Sequence, residues 1–196
     1  RNIKLNIPLK LQRNIELILD RYKTKLEADE IIVAIMQSQT GKIITLASSN
    51  RFNPDNILQK DIPNLNVNAI EYQYEPGSVV KPISISLVID ANKVTSSELI
   101  YAHNKGKKNK DGEYPQGRYH LGKWTIRDDH HFKKHYITLK DIIVDSSNIG
   151  TLTLAQRLTA TQIYEGFKRF GLSKKTGIDL PYEKKGLIHK LYQYKA

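Results

Sequence analysis

Two places in this 196-residue chain carry side chains at spacings suited to covalent chemistry. The first is Tyr74-Glu75-Pro76-Gly77-Ser78-Val79-Val80-Lys81-Pro82-Ile83. Pro76 and Gly77 make a turn, and Ile83, Ile85, Leu87, Val88 and Ile89 then supply an apolar run suited to a buried helix. A helix starting at about Ser78 or Val79 and running to about Ala91 puts Ser78 at its N-terminus, with Lys81 on the same face. Pro82 fits such a start, because the first helical N–H groups have no intrahelical partner to lose. A serine hydroxyl becomes a nucleophile when a base takes its proton, and a lysine desolvated by burial can be that base. The helix dipole and the N–H of Ser78 would steady an oxyanion formed by the attack. By itself, Ser-x-x-Lys also describes an exposed helix start with a solvated lysine.

The second place is Asp145-Ser146-Ser147-Asn148-Ile149-Gly150. A Ser-x-Asn turn between two helices can aim a hydroxyl and an amide into a shared cleft, and it is equally the composition of an ordinary capped connection. A third candidate is weaker. His131 and His135 are four residues apart, which on a helix would bring both to one metal. No carboxylate–histidine pattern accompanies them, so they read as loop or surface histidines, and no metal or cofactor is expected.

The elements around these residues follow from periodicity. Ile3, Leu5 and Ile7 alternate like a short strand that Pro8 ends. Leu11, Ile15, Ile18, Tyr22 and Leu26 recur at helical spacing, predicting an amphipathic helix over about 9–28. Residues 30–37 and 42–48 read as two strands joined by a hairpin turn at Gln39-Thr40-Gly41. Residues 49–73, rich in Asn, Pro and Asp, read as a long loop. After the Ser78 helix, residues 92–137 are polar and irregular, with extended pieces at 118–121 and 123–127. Thr138 with Asp141 is a capping box for a helix through Val144. Two more helices are expected near 149–158 and 161–170, with Gly171 stopping the last.

Composition bounds the function. A hydrophobic content of 39% sustains a core, which excludes a disordered chain. There is no cysteine, hence no disulfide framework and no thiolate metal site. The apolar run Ile31–Met36 is far too short to span a bilayer. Arg1 opens no signal-peptide pattern and there is no initiator Met, as expected of a piece of something longer. The net charge of +11, from 31 basic against 20 acidic side chains, favours anionic partners. The densest basic run, Lys105-Gly106-Lys107-Lys108-Asn109-Lys110, reads as a solvated loop, and no nucleic-acid motif accompanies it. The eleven tyrosines are mostly spread singly and suit core-edge and loop packing.

Together, Tyr-Glu-Pro-Gly-Ser-x-x-Lys-Pro at 74–82 and Ser146-Ser147-Asn148 within a helical stretch resemble the transpeptidase domain of penicillin-binding proteins. Leu5–Gln12 is similar to the family's opening segment, and the hairpin at 30–48 to its first sheet strands. Trp124-Thr125-Ile126-Arg127-Asp128 resembles the piece before the second motif, and Phe170–Pro181 a segment after it. The resemblance therefore runs over nearly the whole chain, with the motifs in the family's order.

What the resemblance implies is specific. The fold would be α+β, the transpeptidase fold shared with serine β-lactamases, here its helical subdomain and the first strands of its antiparallel sheet. Residues 1–50 would carry the first helix and strands, 51–77 a loop, and 78–196 the mainly helical part. Ser78 would be the acylated nucleophile and Lys81 its base. Ser146 would relay protons to the leaving amine, and Asn148 would hold the substrate amide and help position Lys81. The reaction would cross-link peptidoglycan stem peptides, with a D-alanyl-D-alanine donor and an amine acceptor, and β-lactams would acylate Ser78. Lys175-Thr176-Gly177 has the letters of the third motif but follows a helix end, whereas the functional motif must lie on a cleft strand that pairs with the substrate. The resemblance puts that motif farther downstream than Ala196, which implies that these residues alone lack transpeptidase activity.

The absence of a glycosyltransferase segment suits the monofunctional, class B kind. Glu75-Pro76-Gly77 and Ser146-Ser147-Asn148 lean to the division (septal) type, Arg127-Asp128-Asp129-His130-His131 to the elongation type. The family further implies a parent anchored in the inner membrane, its catalytic domain in the periplasm or on the extracytoplasmic face, beside other division or elongation membrane proteins. A serine β-lactamase or β-lactam sensor would share Ser-x-x-Lys, and β-lactam hydrolysis rates separate it. A non-catalytic cell-wall scaffold and a basic nucleic-acid-binding module complete the alternatives.

Overall fold

The computed structural model describes residues 4–194. The described residues fall into two compact units, residues 4–73 with 179–184, and residues 74–178 with 185–194.

In the first unit, helix α1 (Leu9–Leu26) lies on a hairpin of β1 (Ile32–Met36) and β2 (Ile43–Ser48). The strands are antiparallel, Ile32 opposite Ser48, with an irregularity between Ile35 and Met36. Gly41 takes a φ of 70° in the connecting turn, a conformation glycine adopts without strain. The helix keeps only the first part of the stripe that the periodicity predicts. Leu19 is the buried residue and Leu11 and Ile15 are half-buried, while Ile18, Tyr22 and Leu26 are exposed. Positions i, i+4 and i+8 face the sheet, and the Gln12 side chain joins it by donating to the Leu46 carbonyl (2.9 Å) and accepting from the Leu46 N–H (3.2 Å). Leu5 and Ile7 are not in a strand, and Ile3 lies outside the described residues. The expected loop carries a 3-10 turn at Gln59–Asn64 and a short helix α2 (Asn68–Glu71).

The second unit is built around α3 (Lys81–Asp90), entered through a 3-10 turn at Gly77–Val80. The α-helix thus begins two or three residues later than the sequence predicts, and Ser78 lies on the tighter turn before it. α3 packs on α5 (Asn148–Ala155) and α6 (Ala160–Arg169). Ile85, Leu87 and Val88 enter a core with Ile100, Phe132, Ile137, Ile142, Leu154 and Leu158.

Two short antiparallel ribbons flank the helices. β4 (Arg118–Leu121) pairs with β5 (Trp124–Arg127), near the predicted extended pieces. β3 (Leu99–Tyr101) pairs with β6 (Tyr136–Thr138) inside the stretch read as irregular. Thr138 and Asp141 form the predicted capping box at the start of α4 (Leu139–Val144). Among the described residues, no helix is long and apolar enough to cross a membrane.

Candidate functional site

Ser78 is exposed on the 3-10 turn, where residues i and i+3 eclipse, and the Lys81 N–H closes that turn on the Ser78 carbonyl. Gly77, with φ 60°, leads the chain into it, and Pro82 occupies the first turn of α3, where its missing N–H costs no bond. Lys81 is half-buried. Its Nζ donates to the Ser146 carbonyl and to the Ser146 hydroxyl (2.9 Å). The first two motifs therefore meet through Lys81 and Ser146, and no hydrogen bond joins Lys81 Nζ to Ser78 Oγ.

Burial lowers the Lys81 pKa below the ordinary lysine value, and the carboxylates of Asp128 and Asp129 work against that shift. A lysine with a lowered pKa surrenders its proton more readily. In its neutral form it accepts a proton from a nearby hydroxyl, and the Ser146 hydroxyl beside it can pass one on.

The turn that presents Ser146 is held from both sides. Ser147 N donates to the Ile142 carbonyl (2.9 Å), ending α4, and the Ser147 hydroxyl caps α5 by accepting from Gly150 N (2.8 Å). Ser146, between them, has a φ of 52°, a left-handed conformation unusual for serine. No hydrogen bond joins Asn148 to Lys81, and the Asn148 side-chain amide donates to the Arg127 carbonyl (2.8 Å).

Sequence reasoning missed Asp128 as part of this constellation. It ends the β5 segment and is 1% exposed. Its Oδ1 accepts from the N–H groups of Asn148 (2.5 Å) and Ile149 (3.0 Å), and its Oδ2 accepts from the Ser147 hydroxyl (3.0 Å). The one cue was its place in the Trp124–Asp128 segment, because its partners lie 19 to 21 positions away.

The other candidates are placed as follows. Lys175, Thr176 and Gly177 are in no strand and follow the turn that ends α6. His131 Nδ1 pairs with the Tyr114 carbonyl (2.8 Å), whereas His135 Nδ1 faces the Asn104 carbonyl and side-chain oxygen (3.0 Å each). The described residues hold no group of three or more His, Cys, Asp or Glu able to bind a metal ion. Residues 105–110 are exposed, with Lys108 Nζ 4.9 Å from the Tyr114 ring centroid. A groove of about 520 Å³ lined by Ser86, Leu87, Ile89, Asp90, Arg169 and Phe170 lies at the far end of α3 from Lys81.

An α+β unit with a serine turn, a lysine at the following helix start and a Ser-x-Asn turn against that lysine is the arrangement expected of the transpeptidase fold. The chain belongs to the penicillin-binding protein transpeptidase domain family, whose model matches residues 31–195. The kinship is with the transpeptidase domain of class B penicillin-binding proteins. The chain is 25% identical over 193 residues to penicillin-binding protein PbpB of Mycolicibacterium smegmatis, covering 98% of this chain and 28% of that protein. It is 29% identical over 189 residues to peptidoglycan D,D-transpeptidase FtsI of Buchnera aphidicola, covering 96% and 30%. Stage V sporulation protein D of Bacillus subtilis is 29% identical over 191 residues, covering 97% and 28%. The chain thus spans less than a third of the length of these relatives.

Solved structures share the fold. The transpeptidase domain of penicillin-binding protein 3 from Burkholderia pseudomallei superposes with a TM-score of 0.76 at 23% identity, over 96% of this chain and 48% of that one. Penicillin-binding protein 3 from Mycobacterium tuberculosis, complexed with aztreonam, gives a TM-score of 0.78 at 24% identity, over 95% and 39%.

Proposed function

We propose that this chain carries the acylation centre of a peptidoglycan D,D-transpeptidase of the division type. The observation that carries the reading is the bond from Lys81 Nζ to Ser146 Oγ (2.9 Å), which unites two motifs of one acyl-transfer site. Neutral Lys81 takes the Ser78 proton as Ser78 Oγ bonds to the carbonyl carbon of the penultimate D-alanine. The N–H of Ser78 and the dipole of the helix that follows are assigned to the developing oxyanion. When the tetrahedral intermediate collapses, the C–N bond breaks and Lys81, through the Ser146 hydroxyl, hands its proton to the departing D-alanine amine. An amine of a neighbouring stem peptide then attacks the ester, its proton returns through the same pair, and Ser78 is regenerated. A β-lactam enters at the first step, and its ring nitrogen takes the proton in place of the amine.

Asn148, on the rim of the same turn, is assigned to the substrate's amide. The parent protein is placed at the inner membrane with this domain outside the cytoplasm, beside other division or elongation membrane proteins. Since the chain covers 28–30% of its relatives, these residues alone are proposed to be inactive. The test is labelling with a fluorescent penicillin. The full-length protein should be labelled and its Ser78→Ala variant should not. Label retained by Ser78→Ala excludes Ser78 as nucleophile, stable labelling of the isolated 196 residues refutes their inactivity, and rapid β-lactam hydrolysis would mark a β-lactamase instead.

A further inference from the structure

We propose that Asp128 is the positioning residue of this site: its carboxylate holds the Ser146–Asn148 turn in the conformation that presents Ser146 to Lys81. The inference rests on the acyl-transfer reading above.

Three observations carry it. The carboxylate is 1% exposed and both oxygens are engaged, so it is a fixed clamp and not a solvated charge. All three groups it holds belong to the residues directly after Ser146: the Ser147 hydroxyl and the N–H groups of Asn148 and Ile149. Those N–H groups open α5 and have no partner inside it. Ser146 itself is in the disfavoured left-handed region, which persists only where the surroundings over-determine it. On one side the determinant is the end of α4, through Ser147 N to the Ile142 carbonyl. On the other it is Asp128.

A cap for α5 does not by itself require Asp128, because the Ser147 hydroxyl already accepts from Gly150 N. What Asp128 adds is a tie from the end of β5 to the turn, together with a negative charge acting on Lys81. The charged groups acting on Lys81 are Asp128 and Asp129, against the burial that disfavours its ammonium. Asp128 touches the turn and Asp129 is exposed, so one residue couples geometry to charge and its neighbour supplies charge alone.

The experiment compares wild type, Asp128→Asn and Asp129→Asn in the full-length protein. Asparagine at 128 keeps an oxygen for the N–H groups but loses the charge and the second acceptor. Two quantities are read against pH: the rate of Ser78 acylation by a fluorescent penicillin, and the reactivity of Lys81 toward an amine-modifying reagent, followed by peptide mass spectrometry. The second needs no acylation and reports the neutral fraction of Lys81.

In Asp128→Asn the limiting acylation rate should fall about 100-fold, the size of loss that follows a small misplacement of reacting groups. The midpoint of Lys81 reactivity should move to lower pH. Asp129→Asn should move that midpoint the same way with the limiting rate kept. A wild-type limiting rate in Asp128→Asn overturns the proposal, and so does an equal rate loss in Asp129→Asn. If the wild type itself is not acylated, the acyl-transfer reading fails, and amide hydrogen exchange over residues 146–149 then decides: unchanged exchange in Asp128→Asn overturns the role of Asp128, and faster exchange there but not in Asp129→Asn supports it. If Asp128→Asn does not melt cooperatively, Asp128→Glu keeps the charge and the α5 cap while displacing the clamp oxygens. A rate loss of about tenfold supports the proposal and an unchanged rate refutes it.

Discussion

Lys81 Nζ lies 2.9 Å from Ser146 Oγ, joining the first residue of α3 to the turn before α5 across 65 positions of sequence. The contact gives the lysine a defined hydroxyl neighbour, and burial keeps its pKa below the ordinary 10.5. Acylation of Ser78 in the full-length protein should therefore rise with pH to a plateau whose midpoint lies below 10.5. Ser146→Ala should lower the plateau by about 10²–10⁴-fold, the usual contribution of a positioned proton-transfer group. The sign also holds for stability. Between the lowered folded pKa and 10.5 the unfolded chain binds the Lys81 proton and the folded chain does not, so this residue's contribution to stability increases with pH over that window. A flat acylation profile up to pH 10.5 would contradict the assignment of Lys81 as base.

The α4 capping box gives a pH dependence of the same sign, in the acid range. Asp141 is held below its ordinary pKa by the N–H of Thr138 and then by the Thr138 hydroxyl. Its contribution is present above 3.8 and is lost as pH falls through the lowered folded value. Thr138→Ala should cost about 1 kcal/mol, seen as a lower urea midpoint at neutral pH. A substitution that left the midpoint unchanged would show that the cap contributes nothing.

Gly117 is needed for space and not for turn geometry. A Cβ there would sit 2.1 Å from the Ala102 carbonyl oxygen and 2.9 Å from Ile149 Cδ1. The nearer atom is backbone, which cannot rotate away. Gly117→Ala should therefore destabilise by about 2 kcal/mol, with the scatter usual for overpacking. Thermal melting checks this, and Gly122→Ala serves as the comparison, because its Cβ position meets nothing within 4 Å and only its φ of 54° resists the change.

Contacts of this kind, made through space, are not legible in sequence. The helices α1, α4, α5 and α6 and the first hairpin were legible, because period and capping residues are local signals. β3 and β6 were not: each has three residues and takes its stability from a partner more than 30 positions away. Ile18, Tyr22 and Leu26 matched the helical period yet point outward, since period fixes a stripe's spacing and packing on β2 decides which stripe is used. At the site, Ser78 with Lys81 and Ser146 with Asn148 were readable as pairs. Their meeting through Ser146, and the buried Asp128 behind it, are tertiary facts without a local pattern.

Lys175-Thr176-Gly177 tests how far a motif's letters carry chemistry. A substrate-aligning motif works through backbone groups on a strand edge, where an extended peptide can add a strand. Residues 175–177 are in no strand, and Gly177 has a φ of 80°, which breaks extended backbone. Lys175 is exposed, one turn beyond the end of α6. Lys175→Ala in the full-length protein should therefore leave the penicillin acylation rate within about twofold of wild type, with a melting temperature unchanged, as for most surface substitutions. A loss of 100-fold or more would place Lys175 among the acylating groups and would require residues 174–178 to move into the site when substrate binds. A hundredfold loss corresponds to about 2.7 kcal/mol of transition-state stabilisation, more than an exposed lysine supplies through charge alone.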